Sequence, residues 1–238
     1  MDHPIVVPRH EHRTEPILFT LSESGEVVVL LEEGAHAMVI CLCRGTKGMT
    51  IHQHANVAAG AHLHWINVTL GGGIEQSLVS TCTGEGAVST IDWAFRASGE
   101  ERQSLSAKNI FSAAHGGGEI TMKGVAEGRA HAAASGMIGI GPKGTGTHTY
   151  LTQNVLMLDP TAKVDVIPGL EIKTNDVKAS HSATVSRVTP EDLFYFGARG
   201  IAIEEARRMY IEGFFADLLA KVADPAIRAQ AQGALMHH

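Results

Sequence analysis

A short internal repeat constrains this chain more than any other feature. Gly34-Ala35-His36, Gly60-Ala61-His62 and Gly86-Ala87-Val88 recur 26 residues apart, and the same spacing places a fourth register position at Ser112-Ala113. Each Gly-Ala opens an alternating segment: Ala35, Ala37, Val39, Cys41, Cys43; then Ala61, Leu63, Trp65, Asn67, Thr69; then Ala87, Ser89, Ile91, Trp93, Phe95. Period two means strand. A unit this short has no room for a helical crossover and lacks the two helical stripes of ankyrin or tetratricopeptide repeats. A β-solenoid of stacked coils fits it, whereas a twisted antiparallel sandwich has no reason to hold a constant spacing. The expected fold is mainly β: a parallel β-helix of about 26 residues per coil, followed by a C-terminal helical segment. Six coils would make a rod of roughly 30 Å at ~4.8 Å per layer.

Composition agrees with a narrow core. With 26 Gly, 14 His and 5% aromatic residues, the coils should pack through Ala, Val, Ser and Cys, while glycines turn the corners. A formal charge of -6 offers no general attraction to phosphate backbones and no local basic patch stands out, so nucleic acid is not an expected partner. No apolar run reaches membrane length, and residues 1–13 lack the apolar core of a secretory leader. The three cysteines are odd in number, and Cys41 and Cys43 lie too close to pair comfortably, which fits a reduced, cytoplasmic setting.

The texture changes after Val188. Thr189-Pro190-Glu191-Asp192 reads as a capped helix start, with Gly200 as its stop. A second helix is expected from about Ile203 to Val222, with Ala206, Met209, Tyr210, Gly213, Phe214 and Leu218 on one stripe. Asp224-Pro225 opens a third. The division expected is an N-terminal segment (1–25), a β-helix (26–188) and a helical domain (189–238). The aromatic residues of the tail are expected to cap the open end of the rod, because an uncovered last coil exposes strand edges.

Four linked motifs carry a family resemblance. Ile167-Pro168-Gly169-Leu170-Glu171-Ile172, then Asp176-Val177-Lys178-Ala179-Ser180-His181-Ser182-Ala183-Thr184, then Leu193-Phe194-Tyr195 and Arg199-Gly200-Ile201 resemble the signature of the SufB/SufD iron-sulfur cluster assembly proteins. The resemblance implies a right-handed parallel β-helix with C-terminal helices that dock a SufC-type ABC ATPase. It also implies pairing through the β-helix, with a SufB-like partner or with a second copy. Phe194, Tyr195, Arg199, Gly200, Ala206, Gly213 and Phe214 are the partner-binding residues it implies. His181 falls on the family histidine, a candidate ligand for a transient iron-sulfur cluster or iron. Ser182 stands where SufB-type chains carry Glu, Gln153 where they carry Cys, and Ala179 replaces a Cys common in SufD-type chains. The chain thus resembles a short SufD-like member, since strand-like sequence begins by about residue 17 whereas full-length members carry a substantial preceding region. A non-enzymatic scaffold is the expected role.

Other constellations imply other chemistry. His52-Gln53-His54 and His62-Leu63-His64 each place two imidazoles on one face of a strand, and together they would suit a His-rich metal-binding module. Against this, His62 follows His36 by one repeat, so a histidine stack along the coils needs no metal. Cys41 and Cys43 occupy the inward phase and, with Cys82, are expected to be buried thiols. Glu171 and Asp176 would serve a β-helical carbohydrate-active enzyme, but are expected to be solvated corner residues. The glycine-rich runs end without the Lys-Ser/Thr of a phosphate loop.

Overall fold

The computed structural model describes residues 4–236; Met1-Asp2-His3 and His237-His238 lie outside the described residues. Each coil contributes a pair of strands: β1 (Ile5–Val7) and β2 (Ile17–Leu21), β3 (Gly25–Leu31) and β4 (His36–Gly45), β5 (Met49–Val57) and β6 (His62–Gly71), β7 (Ile74–Cys82) and β8 (Val88–Ala97), β9 (Arg102–Phe111) and β10 (Gly117–Ala126), β11 (His131–Ile140) and β12 (Thr147–Met157), β13 (Lys163–Ile172) and β14 (Val177–Arg187). Odd-numbered strands form one parallel seven-stranded sheet and even-numbered strands the other. The protein is a parallel β-helix with two broad faces. Residues 5–21, expected to precede the coils, supply a strand to each sheet.

Register holds at 26 residues where Gly25 meets Ile51 and His36 meets His62, then widens to 29 where Val88 meets Gly117 and to 32 where His131 meets Lys163. The strands hardly change length, so the corners absorb the difference. One corner repeats in the first six strand pairs: Gly34, Gly60, Gly86 and Gly146 all take left-handed φ values between 61° and 71°. His10 and His115 take the same left-handed conformation in the same column, at φ 59° and 58°. The fourth Gly-Ala position is therefore His115-Gly116, not Ser112-Ala113. A side chain at Gly146 would also strike the His115 ring, with its Cβ 2.4 Å from Nδ1.

The inward phase expected from the alternation is the buried one. Ala37, Val39, Cys41 and Cys43 line the interior of β4, and Leu63, Trp65, Asn67 and Thr69 that of β6. The core is less aromatic-poor than composition suggests: Trp65, Trp93, Phe95 and Phe111 are all fully buried within it. A polar thread runs among them. Trp65 Nε1 donates to Asn67 Oδ1 (3.0 Å), Asn67 and Gln53 exchange amide hydrogen bonds (2.9 and 3.0 Å), Gln76 Nε2 donates to Gln53 Oε1 (3.1 Å), and Trp93 Nε1 reaches Thr69 Oγ1 (2.9 Å).

Three helices follow: α1 (Pro190–Gly197), α2 (Ile203–Leu219) and α3 (Pro225–Met236). Thr189 caps α1 through a capping box with Asp192. The tail does not cap the rod's end. It lies along the outer face of the even-numbered sheet, α2 against β8 and β10 and α3 against β6. The reason is in the strands, whose second halves are apolar on both sides. Ile40, Leu42, Ile66, Val68, Leu70, Ala94 and Val125 face outward and bury against Ile211, Phe215, Leu218, Leu219 and Leu235. That stripe is rotated from the expected one, leaving Met209 exposed and Tyr210 and Phe214 half-buried.

Ion pairs fasten the tail at this seam. Lys221 Nζ and His64 Nε2 both bond the fully buried Asp92 carboxylate at 2.7 Å, Arg96 bonds Glu127 and the Leu235 carbonyl, and Lys123 pairs with Asp217. Arg207 binds Asp159 with both of its terminal nitrogens (2.8 and 3.3 Å), and the Gly128 N–H donates to the same carboxylate. The Arg207 hydrogen bond, chiefly, holds Asp159 below the usual carboxylate pKa. A depressed folded-state pKa stabilises above the unfolded value of about 3.9 and is lost as pH falls through the lower folded value. Corrected for the intrinsic exchange rate, amide protection in α2 is therefore expected to fall ahead of that in β6 and β8 as pH drops below about 4. Simultaneous loosening of all three would mean that Arg207–Asp159 adds nothing local.

Candidate functional site

Because the helices lie on a side face, the last coil is open. β13 and β14 are the terminal strands of their sheets. Val185, in register with the buried inward Val155, is 48% exposed although it sits in regular strand, and Ile167 on the outer phase of β13 is 59% exposed. The inner residues Val164, Val166, Leu170, Val177 and Ala179 pack on the core below and are only partly covered. Such an edge presents unpaired backbone donors and acceptors as well as apolar side chains.

His181 lies on this edge. It pairs in register with Leu151, a fully buried inward residue, and shares the phase of Val177 and Ala179. Its imidazole belongs to the interior column of the rod and is exposed only because no further coil covers it. Two rungs along, Ala183 pairs with Gln153, which is completely buried. Gln153 Nε2 donates to the Ala134 carbonyl at 3.0 Å, while its Oε1 has no partner; the hydroxyls of Thr147 and Thr149 on the same inner face of β12 likewise have none. Three of the four unpartnered buried side-chain atoms among the described residues thus lie on the inner face of β12, directly beneath the open coil; the fourth is Gln103 Oε1 in β9. Among the polar groups on the interior phase of β12 and β14, only the His181 imidazole is a strong transition-metal ligand.

The other histidines are dispersed. His52 and His54 project from β5 in the odd-numbered sheet, and His62 and His64 from β6 in the even-numbered one. The four do not converge, because consecutive strands of a solenoid belong to different sheets. His52 Nδ1 bonds Ser77 Oγ at 2.9 Å, His54 approaches Glu26 at 3.6 Å, and His64 is held by Asp92. His62 instead joins a stack: the His12, His36 and His62 rings lie 4.0 and 4.3 Å apart. Burial, then the neighbours His62 and His12, lower the pKa of His36 and favour the neutral stack. No group of three or more His, Cys, Asp or Glu among the described residues is arranged to hold a metal ion.

The cysteines are interior thiols. Burial raises the pKa of all three, to about 12 for Cys43 and Cys82, so none is a ready thiolate. Glu171 is paired with Lys173 at 2.9 Å, a hydrogen bond that lowers its pKa, whereas a general acid needs the opposite shift.

The partner-binding candidates of the tail divide in two. Phe194 (75% exposed), Tyr195 (56%), Arg199 and Gly200 form an outward patch in which the Arg199 guanidinium lies 3.6 Å from the Tyr195 ring centre. Gly213 and Phe214 join Leu156, Phe196, Met209 and Tyr210 around an apolar groove of about 380 Å³. Ala206 is buried and supports the seam. The sequence stripe missed Leu156, which a coil contributes to this groove, because nothing local marks a strand residue as facing a helix.

The chain is similar to an iron-sulfur cluster assembly SufBD family protein of Mycobacterium leprae, 30% identical over 228 residues, which cover 90% of this chain and 57% of that protein. It is also similar to one of Mycobacterium bovis, 31% identical over 203 residues, covering 79% of this chain and 50% of that protein. The chain therefore spans about half the length of the curated relatives it matches. Residues 20–214 match the family model described as SUF system FeS cluster assembly, SufBD core domain, a span running from β2 through the open coil with His181 into α2. The coils from β4 onward, His181 and the exposed aromatics of α1 all fall within the matched span, and the chain belongs to the SufBD family of iron-sulfur cluster assembly proteins.

Proposed function

We propose that this chain is a SufD-like, non-enzymatic scaffold of cytoplasmic iron-sulfur cluster assembly, in which the open last coil pairs with a SufB-like chain or a second copy. The observation that carries the reading is the uncovered edge of β13 and β14 with His181 on its interior phase. An uncapped coil with Val185 exposed on its interior phase is stabilised by adding a partner's strand, and that addition brings a second set of ligands to His181. A cluster or iron ion is the cargo here. His181 supplies one ligand, so the remaining ligands come from the partner, in keeping with Gln153 and Ser182 standing where SufB-type chains carry Cys and Glu.

The tail would dock a SufC-type ATPase through Phe194, Tyr195 and the groove beside Phe214. Exposed aromatics next to an arginine are the composition of an interface anchor. Deleting the helices is a poor test, because it would bare Ile66, Val68 and the rest of the seam. Point variants on α1, which buries no residue, avoid that difficulty. Phe194→Ala with Tyr195→Ala is expected to weaken binding of the cognate ATPase by about 2 kcal/mol or more, roughly 30-fold, with the melting temperature unchanged. Calorimetric titration of ATPase into the full chain measures it; wild-type affinity in the double variant would remove α1 from the interface.

A further inference from the structure

β9, β11 and β13 begin with Arg102, His131 and Lys163, and the ladder sets these three directly opposite one another. Neighbouring rungs lie ~4.8 Å apart, so Arg102 and Lys163 stand on either side of the His131 imidazole. Arg129, two residues before β11, adds a fourth basic side chain at the same corner. With Thr161 these four line a cavity of about 440 Å³; a second of about 360 Å³ shares Arg102 and His131. Both are within the range of small-ligand sites, roughly 300–1,000 Å³. Two carboxylates are engaged here, Asp165 bonding His131 Nε2 at 2.6 Å and Glu100 pairing with Arg129, and a third, Glu75, lines the second cavity. Among the described residues, neither Arg102 nor Lys163 forms an ion pair. No basic run marks the site in the sequence, since successive members of the column stand 29 and 32 residues apart.

We propose that this corner binds a small molecule bearing a diphosphate group. Arg102 and Lys163 flank the His131 rung, and among the described residues neither is paired with a carboxylate, so a bound anion would complete both at once. A guanidinium fork and an ammonium are the two side-chain types that recognise phosphate, the first by paired hydrogen bonds and the second as a point charge. The column from Arg102 to Lys163 spans two rung spacings, roughly 10 Å, which is wider than one phosphate and suits two linked ones. His131 sits between them as a hydrogen-bonding group already oriented by Asp165. Arg129 closes the side, and Thr161, whose hydroxyl donates to the Gly128 carbonyl at 2.5 Å, fixes the corner backbone.

The test is calorimetric titration of the full chain with pyrophosphate, against orthophosphate, in low salt. Saturable binding of one pyrophosphate per chain is expected, at least about tenfold tighter than orthophosphate and weakening steeply with added salt. Arg102→Gln and Lys163→Gln should each weaken it about tenfold or more, while Lys178→Gln on the other sheet leaves it unchanged. A second readout separates binding from a structural role. Without ligand, Arg102→Gln should melt within about 2 °C of wild type, and pyrophosphate should raise the melting temperature of wild type but not of the variant. The proposal is overturned by absence of saturation up to roughly 10 mM pyrophosphate, by equal affinity in Arg102→Gln and wild type, or by an equal loss in Lys178→Gln.

Discussion

Asn67→Ala is expected to lower the melting temperature by roughly 5–20 °C, among the largest effects of any single substitution in the coils. Asn67 is fully buried and sits at the centre of the amide thread, accepting from Trp65 Nε1 and Gln53 Nε2 and donating to Gln53 Oε1. Removing it strands two buried donors, at about 1–3 kcal/mol each, while Gln53 Oε1 keeps its bond from Gln76. The sum, about 2–6 kcal/mol, translates at about 2–4 °C per kcal/mol for a chain of this size. Asn56→Ala is the matched control: its carboxamide accepts from Thr83 on the exposed surface, and the change should stay within about 0.5 kcal/mol. Thermal melts followed by circular dichroism decide it. If Asn67→Ala melts with Asn56→Ala, the thread is not a structural element and water replaces the lost amide.

The same residue shows how far the fold could be read from the sequence. Alternation from each Gly-Ala placed Asn67 and Thr69 inward with Trp65, and all three are buried together. Inward and outward follow from period two alone, and the glycine corners give the length of the first coils. What lies between coils is not local. His115 takes the left-handed corner that glycine takes elsewhere, so the repeat is hidden where side-chain identity changes but backbone conformation does not. The tail's position was half legible. Runs such as Val39-Ile40-Cys41-Leu42-Cys43 are apolar at every residue, the mark of a strand covered on both faces, yet alternation drew attention only to one face. His52, His54, His62 and His64 look adjacent in sequence and are separated by the solenoid, whereas Arg102, His131 and Lys163 look distant and are joined by it. In this architecture, nearness along the chain crosses from sheet to sheet, and nearness in space recurs one coil later.

That topology gives the terminal histidine its expected consequence. His181→Ala should reduce the iron retained after anaerobic reconstitution with ferrous iron and sulfide by at least about tenfold, with the oligomeric state unchanged. The imidazole is exposed on the interior phase of an edge strand, while the three thiols lie in earlier coils with their pKa raised by burial, so nothing in the same coil substitutes for it. His52→Ala, on the far sheet and bonded to Ser77, should retain wild-type loading. Val185→Lys separates the ligand from the pairing. A lysine on an exposed edge strand opposes strand addition, so this variant should sediment as a monomer under conditions where wild type, alone or with its SufB-like partner, sediments as a dimer. If the remaining ligands come from the partner, Val185→Lys loses iron together with pairing although His181 is intact. Loading that survives His181→Ala would displace the site from the open coil. Loading that survives Val185→Lys in a demonstrated monomer would show that one chain completes the ligand set alone, and the polar interior beneath His181, with the orphan oxygens of Gln153, Thr147 and Thr149, would then be the place to look for it.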